Sequence, residues 1–356
     1  MSKKKNGSSG LGQLLIPLVA LGILVLFNMI RDIGFFSITM RVNNSGNIVL
    51  AGNLISIIDN ASELAIIAMG MTLVTAACGG QDISVGAVAA ISGAVLVKVL
   101  QALGGITPLS LLLAFLAATL VTILFKLFNG TLVAVFRIQP MIATLILFSC
   151  GRSIAYWING SATPQLYAPI IDSIGKTIPG IPIPTPIFAV LLMGLLLILL
   201  FRFTSLRLYT QSVGINQGAA RLNGINPTTV KLISFVILGV CVSVAALLGV
   251  CRMHQLNHKN LLIDIEMDAI LAVAIGGNSL GGGKFKLIGS ILGAYIIQML
   301  TTTLYAMNVN PVNIKAYKAI VIIVIVVAGS PVIKKALVSL WTRLRPAAKA
   351  QKEGVS

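Results

Sequence analysis

Apolar runs about as long as a bilayer core is thick recur along the whole chain, and that recurrence constrains it more than any motif does. A hydrocarbon core of roughly 30 Å is crossed by about 20 apolar residues in a helix. Such runs occupy residues 13–30, 61–78, 85–103, 109–127, 140–157, 186–203, 230–250, 287–307 and 316–332. Residues 267–275 are too short to cross alone. Borrowing residues 261–266 and running into GGNSLGGGK, they make an eighth, interrupted span, for ten in all. With 57% hydrophobic and only 10% charged residues, a soluble domain could not bury this much apolar surface. Nor do the runs alternate apolar with polar residues, as the strands of a membrane barrel would. The expected class is an all-α polytopic membrane protein of about ten transmembrane helices, some broken at glycine-rich stretches.

The formal net charge of +17 raises nucleic acid as a partner, but the basic residues are spread between apolar segments instead of gathering with aromatics on one face. Their placement is topological. Ten spans put both termini on one side. On that side fall Lys3, Lys4, Lys5, Lys126, Arg137, Arg202, Arg207, Arg221, Lys231, Lys284, Lys286, Lys334, Lys335, Arg343, Arg345, Lys349 and Lys352, which are 17 of the 26 Lys and Arg. The positive-inside rule makes that side the cytoplasm. Residues 1–12 and 334–356 are then expected to be cytoplasmic basic tails flanking a transmembrane domain over 13–333. The first run lacks a convincing small-residue cleavage site and is expected to be a membrane helix, not a signal peptide. Residues 53–59 are expected along the outer interface. Residues 159–185, which hold Pro164, Pro169, Pro179, Pro182 and Pro184, are expected to form an extended external loop.

Unwound backbone survives inside a membrane only where protein or a wet cavity satisfies its NH and CO groups. The glycines of GGQDISVGA and GGNSLGGGK therefore mark either breaks beside a pathway or close helix packing. Gly79, Gly80, Gln81, Asp82, Asn129, Arg152, Gly276, Gly277 and Asn278 are the candidate pathway residues. Arg152 either faces that pathway or snorkels outward. Asp82 caps the next helix together with Ser84 in the plainer reading. Glu63, Glu266 and Asp268 are expected at solvated outer span ends, and no carboxylate is expected deep in a span. GGNSLGGGKF fails as a phosphate loop, because Asn278 stands at the first glycine position and Phe285 follows Lys284. Cys78, Cys150, Cys241 and Cys251 have no CxxC spacing and are expected to pack in the core. The spacing of His254 and His258 would put both rings on one face of a helix, but the segment between them reads as an external loop and no third metal ligand is apparent nearby. No catalytic residue and no metal site is expected.

Between two strongly apolar segments lies GINQGAARLNGIN, residues 214–226, flanked by Arg202, Arg207 and Lys231. It is small, polar and helix-forming, and the charge count places it in the cytoplasm. Its candidate residues are Gly214, Asn216, Gly218, Ala219, Ala220, Arg221 and Gly224, within a coupling loop over 204–229.

Four segments, GMTLVTAACGGQDISVGAVAAISG (70–93), IQPMIATLILFSCGRSIAYWINGS (138–161), GAARLNGINPTTVKLISFVILG (218–239) and EMDAILAVAIGGNSLGGGKFKLIGSILGA (266–294), resemble in this order the permease family of bacterial ABC importers for simple sugars. The resemblance covers residues from about 53 to 332. It implies a type II importer-like fold and a permease that moves a pentose or hexose across the bacterial plasma membrane. It also implies a second permease subunit, identical or not, ATPase subunits that carry ATP and magnesium, and a periplasmic or lipid-anchored sugar-binding protein. No cofactor is expected on this chain, and no partner beyond these, the sugar and membrane lipid. Family permeases carry an EAA-like pattern in the cytoplasmic loop. Gly218, Ala219, Ala220 and Gly224 match it, except that Gly218 replaces the leading acidic residue. Gln81 stands where the family commonly has Ile.

The rival class is an ion-coupled secondary transporter of a small polar solute, which would need a coupling carboxylate near the midplane. A channel or receptor without energy coupling would give the loop at 214–226 no role.

Overall fold

The structure, a computed structural model, describes residues 10–42, 48–160 and 162–329. The chain divides into two compact units, residues 1–302 and 303–356.

A helix apolar on every side is stable only when protein or lipid surrounds it, and the structure contains both cases. Helix α3 (Ser62–Cys78) is enclosed by protein, with Ser62 through Ala77 all buried. Its sequence permits this because small residues let neighbours come close. At Gly70 an added Cβ would stand 3.0 Å from both Leu238 Cα and Cys241 Sγ of α11 (Pro227–Met253). Helices α5 (Pro108–Ala134), α6 (Pro140–Ile158) and α8 (Thr185–Phe203) instead expose leucine-rich faces, including Leu112, Leu116, Leu120, Ile146, Leu192 and Leu196, as lipid-facing helices do. Helix α4 (Val85–Ala102) packs between α5 and α6 and is also buried over most of its length.

The remaining helices of the first unit are α1 (Gly10–Arg31), α2 (Asn53–Asn60), α7 (Pro169–Gly175), α9 (Leu206–Ile215), α10 (Gln217–Leu222) and α12 (Ile265–Ile275). Helix α13 (Leu287–Ala306) begins in this unit, and α14 (Pro311–Gly329) lies in the second. Among the described residues, seven helical segments are long and apolar enough to cross a membrane. The expected ten are not all recovered by that measure. Helix α12 has only 11 residues, consistent with an interrupted span.

Several expectations are corrected. Residues 53–59 form most of α2, which runs into α3 within one 26-residue candidate span, with Ile57 buried. Helix α5 does not stop before Asn129 and Gly130 but continues to Ala134. It can do so because Gly130 lets the helix sit against Phe235 and Asn129 finds a partner on another segment. The polar stretch after α1 forms an antiparallel hairpin, β1 (Thr39–Val42) with β2 (Ile48–Ala51). The proline-rich segment at 159–185 is not wholly extended but includes the short helix α7.

Candidate functional site

Two glycine turns and the loop helices meet at one end of α3. Helix α3 stops at Gly79, whose φ of 64° is a left-handed conformation that glycine adopts without strain. Helix α12 stops at Gly276, and the chain turns back through Gly277 (φ 81°), Gly282 (φ 91°) and Gly283 (φ 76°). The two turns touch. Gly283 N donates to Ala76 O at 3.0 Å, and a Cβ on Gly79 would stand 2.9 Å from Gly281 O. Gln81 Nε2 donates to Leu280 O at 2.9 Å, a polar link across the two turns. Gly214 closes the group from α9: a Cβ there would overlap Ala76 O and lie 2.6 Å from Gly283 N. Gly80 packs on Pro140 at the start of α6.

Asn278 holds the second turn. Its Oδ1 accepts from Lys286 N at 2.7 Å, while Nδ2 lies 2.9 Å from Ser290 Oγ and 3.2 Å from both Val273 O and Lys286 O. Ser290 in turn shares a 2.6 Å hydrogen bond with Thr72 inside α3. Gly276 lies directly against the Gly289 backbone, which lets α12 and α13 approach.

The loop itself is two helices. Asn216 Oδ1 caps α10 by accepting from Ala219 N at 3.1 Å, and Asn226 Oδ1 caps α11 by accepting from Thr228 N at 3.0 Å. Gly224, at φ 76°, ends α10 in the left-handed region. Ala220 is the inward side of α10, packed with Ala77, Val213 and Val230, whereas Gly218, Ala219, Arg221 and Leu222 are exposed. Leu222 and Ile215 are 91% and 75% exposed, two apolar side chains on an otherwise polar loop.

Behind the first turn lies a dry ionic network. Asp82 Oδ2 sits 2.8 Å from Lys126 Nζ, and both side chains have no exposed surface. Asp82 Oδ1 also accepts from Ser84 N at 2.8 Å and Ser84 Oγ at 2.6 Å, a local turn at the residue before α4; neither side chain caps the helix's own first-turn N–H groups, so the expected capping is replaced by an ion pair. Lys126 Nζ and Asn129 Nδ2 both reach Ser84 Oγ, at 3.0 and 2.9 Å. Lys126 is therefore no cytoplasmic surface residue, and Lys231, assigned to the same side, is also buried; Lys3, Lys4, Lys5, Lys334, Lys335, Arg343, Arg345, Lys349 and Lys352, in the two basic tails, lie outside the described residues. The sequence signal was present: Lys126 and Asn129 are three apart, on one helix face, within an apolar run.

Glu63 and Glu266 lie in the first turns of α3 and α12, at helix ends as expected, but both are buried instead of solvated, while Asp268 is half-buried. Glu63 is buried, and its Oε1 accepts from Arg252 Nε at 2.9 Å. Glu266 is buried beside Gly86, and its Oε2 has no hydrogen-bond partner among the described residues, as is also true of Asn129 Oδ1. Arg152 does not simply snorkel. Its Nη1 donates to the carbonyls of His258, Lys259 and Leu261 at 2.8, 3.1 and 3.1 Å, holding the turn that leads into α12.

His254 and His258 do not share a helix face, because α11 ends at Met253 and His254 is its left-handed cap. His254 Nε2 lies 2.9 Å from Asp172 Oδ1, a contact that, with Lys176, holds the Asp172 carboxyl below its usual range. His258 packs edge-on to Tyr156. The described residues contain no cluster of metal-binding side chains. All four cysteines are free, with Cys241 and Cys251 buried, as expected of packing residues.

The family model described as "Branched-chain amino acid transport system / permease component" matches residues 53–329. The galactofuranose transporter permease protein YtfT of Escherichia coli (strain K12) is 37% identical over 79% of this chain and 80% of its own length. The fructose import permease protein FruF of Bifidobacterium longum (strain NCC 2705) is 34% identical over 95% of this chain and 93% of its own. The ribose import permease protein RbsC of Escherichia coli (strain K12) is 32% identical over 80% of this chain and 88% of its own. No solved structure matches the chain.

Proposed function

The chain belongs to the family of branched-chain amino acid transport system / permease components, and from that premise we propose that it is the membrane permease of an ATP-driven importer that moves a simple sugar across the inner membrane. The relatives named for galactofuranose, fructose and ribose support a pentose or hexose as cargo. The protein transports and does not catalyse. ATP and magnesium belong to separate ATPase subunits, a second permease subunit completes the pathway, and a sugar-binding protein delivers cargo outside. Both termini and the α9–α10 loop lie in the cytoplasm.

The observation that carries the coupling is the packing of Gly214 against Ala76 and Gly283. With backbone in contact with backbone, α9 cannot shift without moving the end of α3 or the turn after α12. An ATPase that pushes on α10 would therefore act directly on the two broken-helix ends. The exposed Leu222 and Ile215 give that partner apolar anchors, and Arg221 a charge. Gly79, Gly80, Gln81, Gly276, Gly277 and Asn278 are the moving wall in this reading, with Asp82 and Asn129 behind it. ATP binding shifts the balance of outward and inward states only by favouring one of them.

The test is co-purification of tagged protein from its native membrane, followed by uptake of radiolabelled sugar into liposomes containing the recovered complex. Recovery of an ATPase and uptake that needs ATP are the expected results. Uptake by the chain alone, driven by an ion gradient, would overturn the reading. The buried Asp82 and Glu266 are the groups such a gradient would use.

A further inference from the structure

We propose that the outer end of this protein carries a weak recognition site for a neutral polyhydroxyl compound, in a polar cavity between the β1–β2 hairpin and the start of α2. The proposal rests on the sugar reading above and gives that cargo a first stop on the permease itself.

The position follows from chain direction. Helix α3 ends at the glycine junction beside the loop helices, and α11 begins at Asn226 next to the same loop. Asp59, just before α3, and Arg252, in the last turn of α11, therefore mark the opposite end. There a cavity of about 500 Å³ is lined by Ser37, Thr39, Arg41, Asn53, Ser56 and Asp59, among others. A second, of about 260 Å³, shares Leu50, Asp59 and Pro184 with it and reaches Arg252 and Lys176. The larger one falls within the roughly 300–1,000 Å³ of small-molecule sites.

Its chemistry selects the ligand. Hydroxyl and amide side chains both donate and accept, as sugar hydroxyls do. The local charges do not favour an anion or a cation, since Arg41 and Arg252 stand against the two carboxylates Asp59 and Glu63, which share Arg252. Arg252 holds Asp59 with Nη1 2.9 Å from Oδ2 and Nη2 3.1 Å from Oδ1. A carboxylate so held keeps free lone pairs for hydroxyl donors without leaving a buried charge uncompensated.

The site is preformed. Leu50 N donates to Pro182 O at 2.9 Å and ties the hairpin to the proline segment. Gly52, at φ 139°, brings the start of α2 against the Ser37 carbonyl, where no side chain would fit. Groups fixed in this way bind without the cost of ordering a loop.

The experiment is equilibrium dialysis of the purified full chain in nanodiscs against radiolabelled D-ribose, D-fructose and D-galactose. The variants are Ser56→Trp, which fills the cavity from an exposed position, Arg41→Ala, and Phe203→Ala, exposed at the far end of α8, as a control. Saturable binding of at least one sugar by the wild type, weakened about tenfold or more by Ser56→Trp and Arg41→Ala but not by Phe203→Ala, is expected. No saturable binding by wild type, or binding indifferent to Ser56→Trp in a variant with unchanged thermal unfolding, overturns the site. If Ser56→Trp instead abolishes stimulation by the sugar-binding protein while dialysis shows no sugar bound, the face is a protein-docking surface and the proposal fails. Sugar-binding and ATP-driven uptake are scored separately. Uptake without binding removes this site and keeps the transport reading, while binding without uptake does the reverse.

Discussion

Lys126 Nζ lies 2.8 Å from Asp82 Oδ2, and neither side chain touches solvent. An ion pair this dry contributes little net stability, but breaking it leaves a charge with no compensation. Lys126→Met or Asp82→Asn alone is expected to destabilise the protein by about 3–5 kcal/mol. The double substitution recovers most of that loss. Thermal unfolding in detergent of the four proteins in the cycle checks it, and additive losses would show that the pair does not act as a unit.

Gly214 has no room for a side chain between Ala76 and Gly283, whereas Leu222 projects outward from the same loop. Gly214→Val is expected to abolish ATP-driven uptake while the ATPase still co-purifies. Leu222→Asp is expected to lose the ATPase itself with unfolding temperature unchanged. A pull-down and an uptake assay on both variants separate docking from transmission. Matching defects in the two would contradict the division of labour.

Asn278 makes four contacts across a turn that no regular helix supports. Asn278→Leu leaves Lys286 N and Ser290 without this partner, at about 1–3 kcal/mol for each buried group left unsatisfied. A lower unfolding temperature together with reduced uptake is expected. Asn278→Asp keeps the acceptor for Lys286 N and should lose less. Unfolding curves that rank the two variants the other way would count against the turn's dependence on that acceptor.

His258 is buried between α11 and α12, and burial, followed by the charges of Lys259 and Arg152, pushes its imidazole below the ordinary value. Its folded pKa is thus lower than its unfolded one, and the unfolded chain takes up the proton first. The sign follows: its stabilising contribution is complete above the unfolded value of about 6.5 and is lost as pH falls through the folded value. Wild-type unfolding temperature is expected to drop more steeply between pH 7.5 and 5 than that of His258→Gln. Parallel curves would show that His258 does not carry the acid sensitivity.

Much of the architecture was legible one segment at a time. Apolar length predicted α3, α4, α6, α8, α11 and α13 close to their observed bounds, because a helix that must satisfy its own backbone in lipid announces itself in composition. Gly79 and Gly276 were legible as breaks, and the segment at 214–226 as a short helical insert. The polar residues were harder. Lys126 counted as a surface cation because local sequence shows a lysine near the end of an apolar run but not the Asp82 that receives it. Glu63 and Glu266 counted as interfacial for the same reason, whereas the hairpin of β1 and β2 did have a turn signal, NNSGN at 43–47, which a reading by apolar length does not use.

Local sequence by itself therefore determined that this chain is a polytopic membrane protein, where most of its long apolar helices lie and break, and which family it joins. Those properties depend on neighbours along the chain, on apolar length, glycine position and motif order. Only the tertiary structure decided that the break after α3, the break after α12 and the start of the loop helices converge at Ala76, Gly214 and Gly283. It alone decided that Lys126 meets Asp82 and that Arg252 meets Asp59 and Glu63. Those pairings are made by groups far apart in sequence, and the low dielectric of the interior forces each buried charge to find a partner without specifying which one.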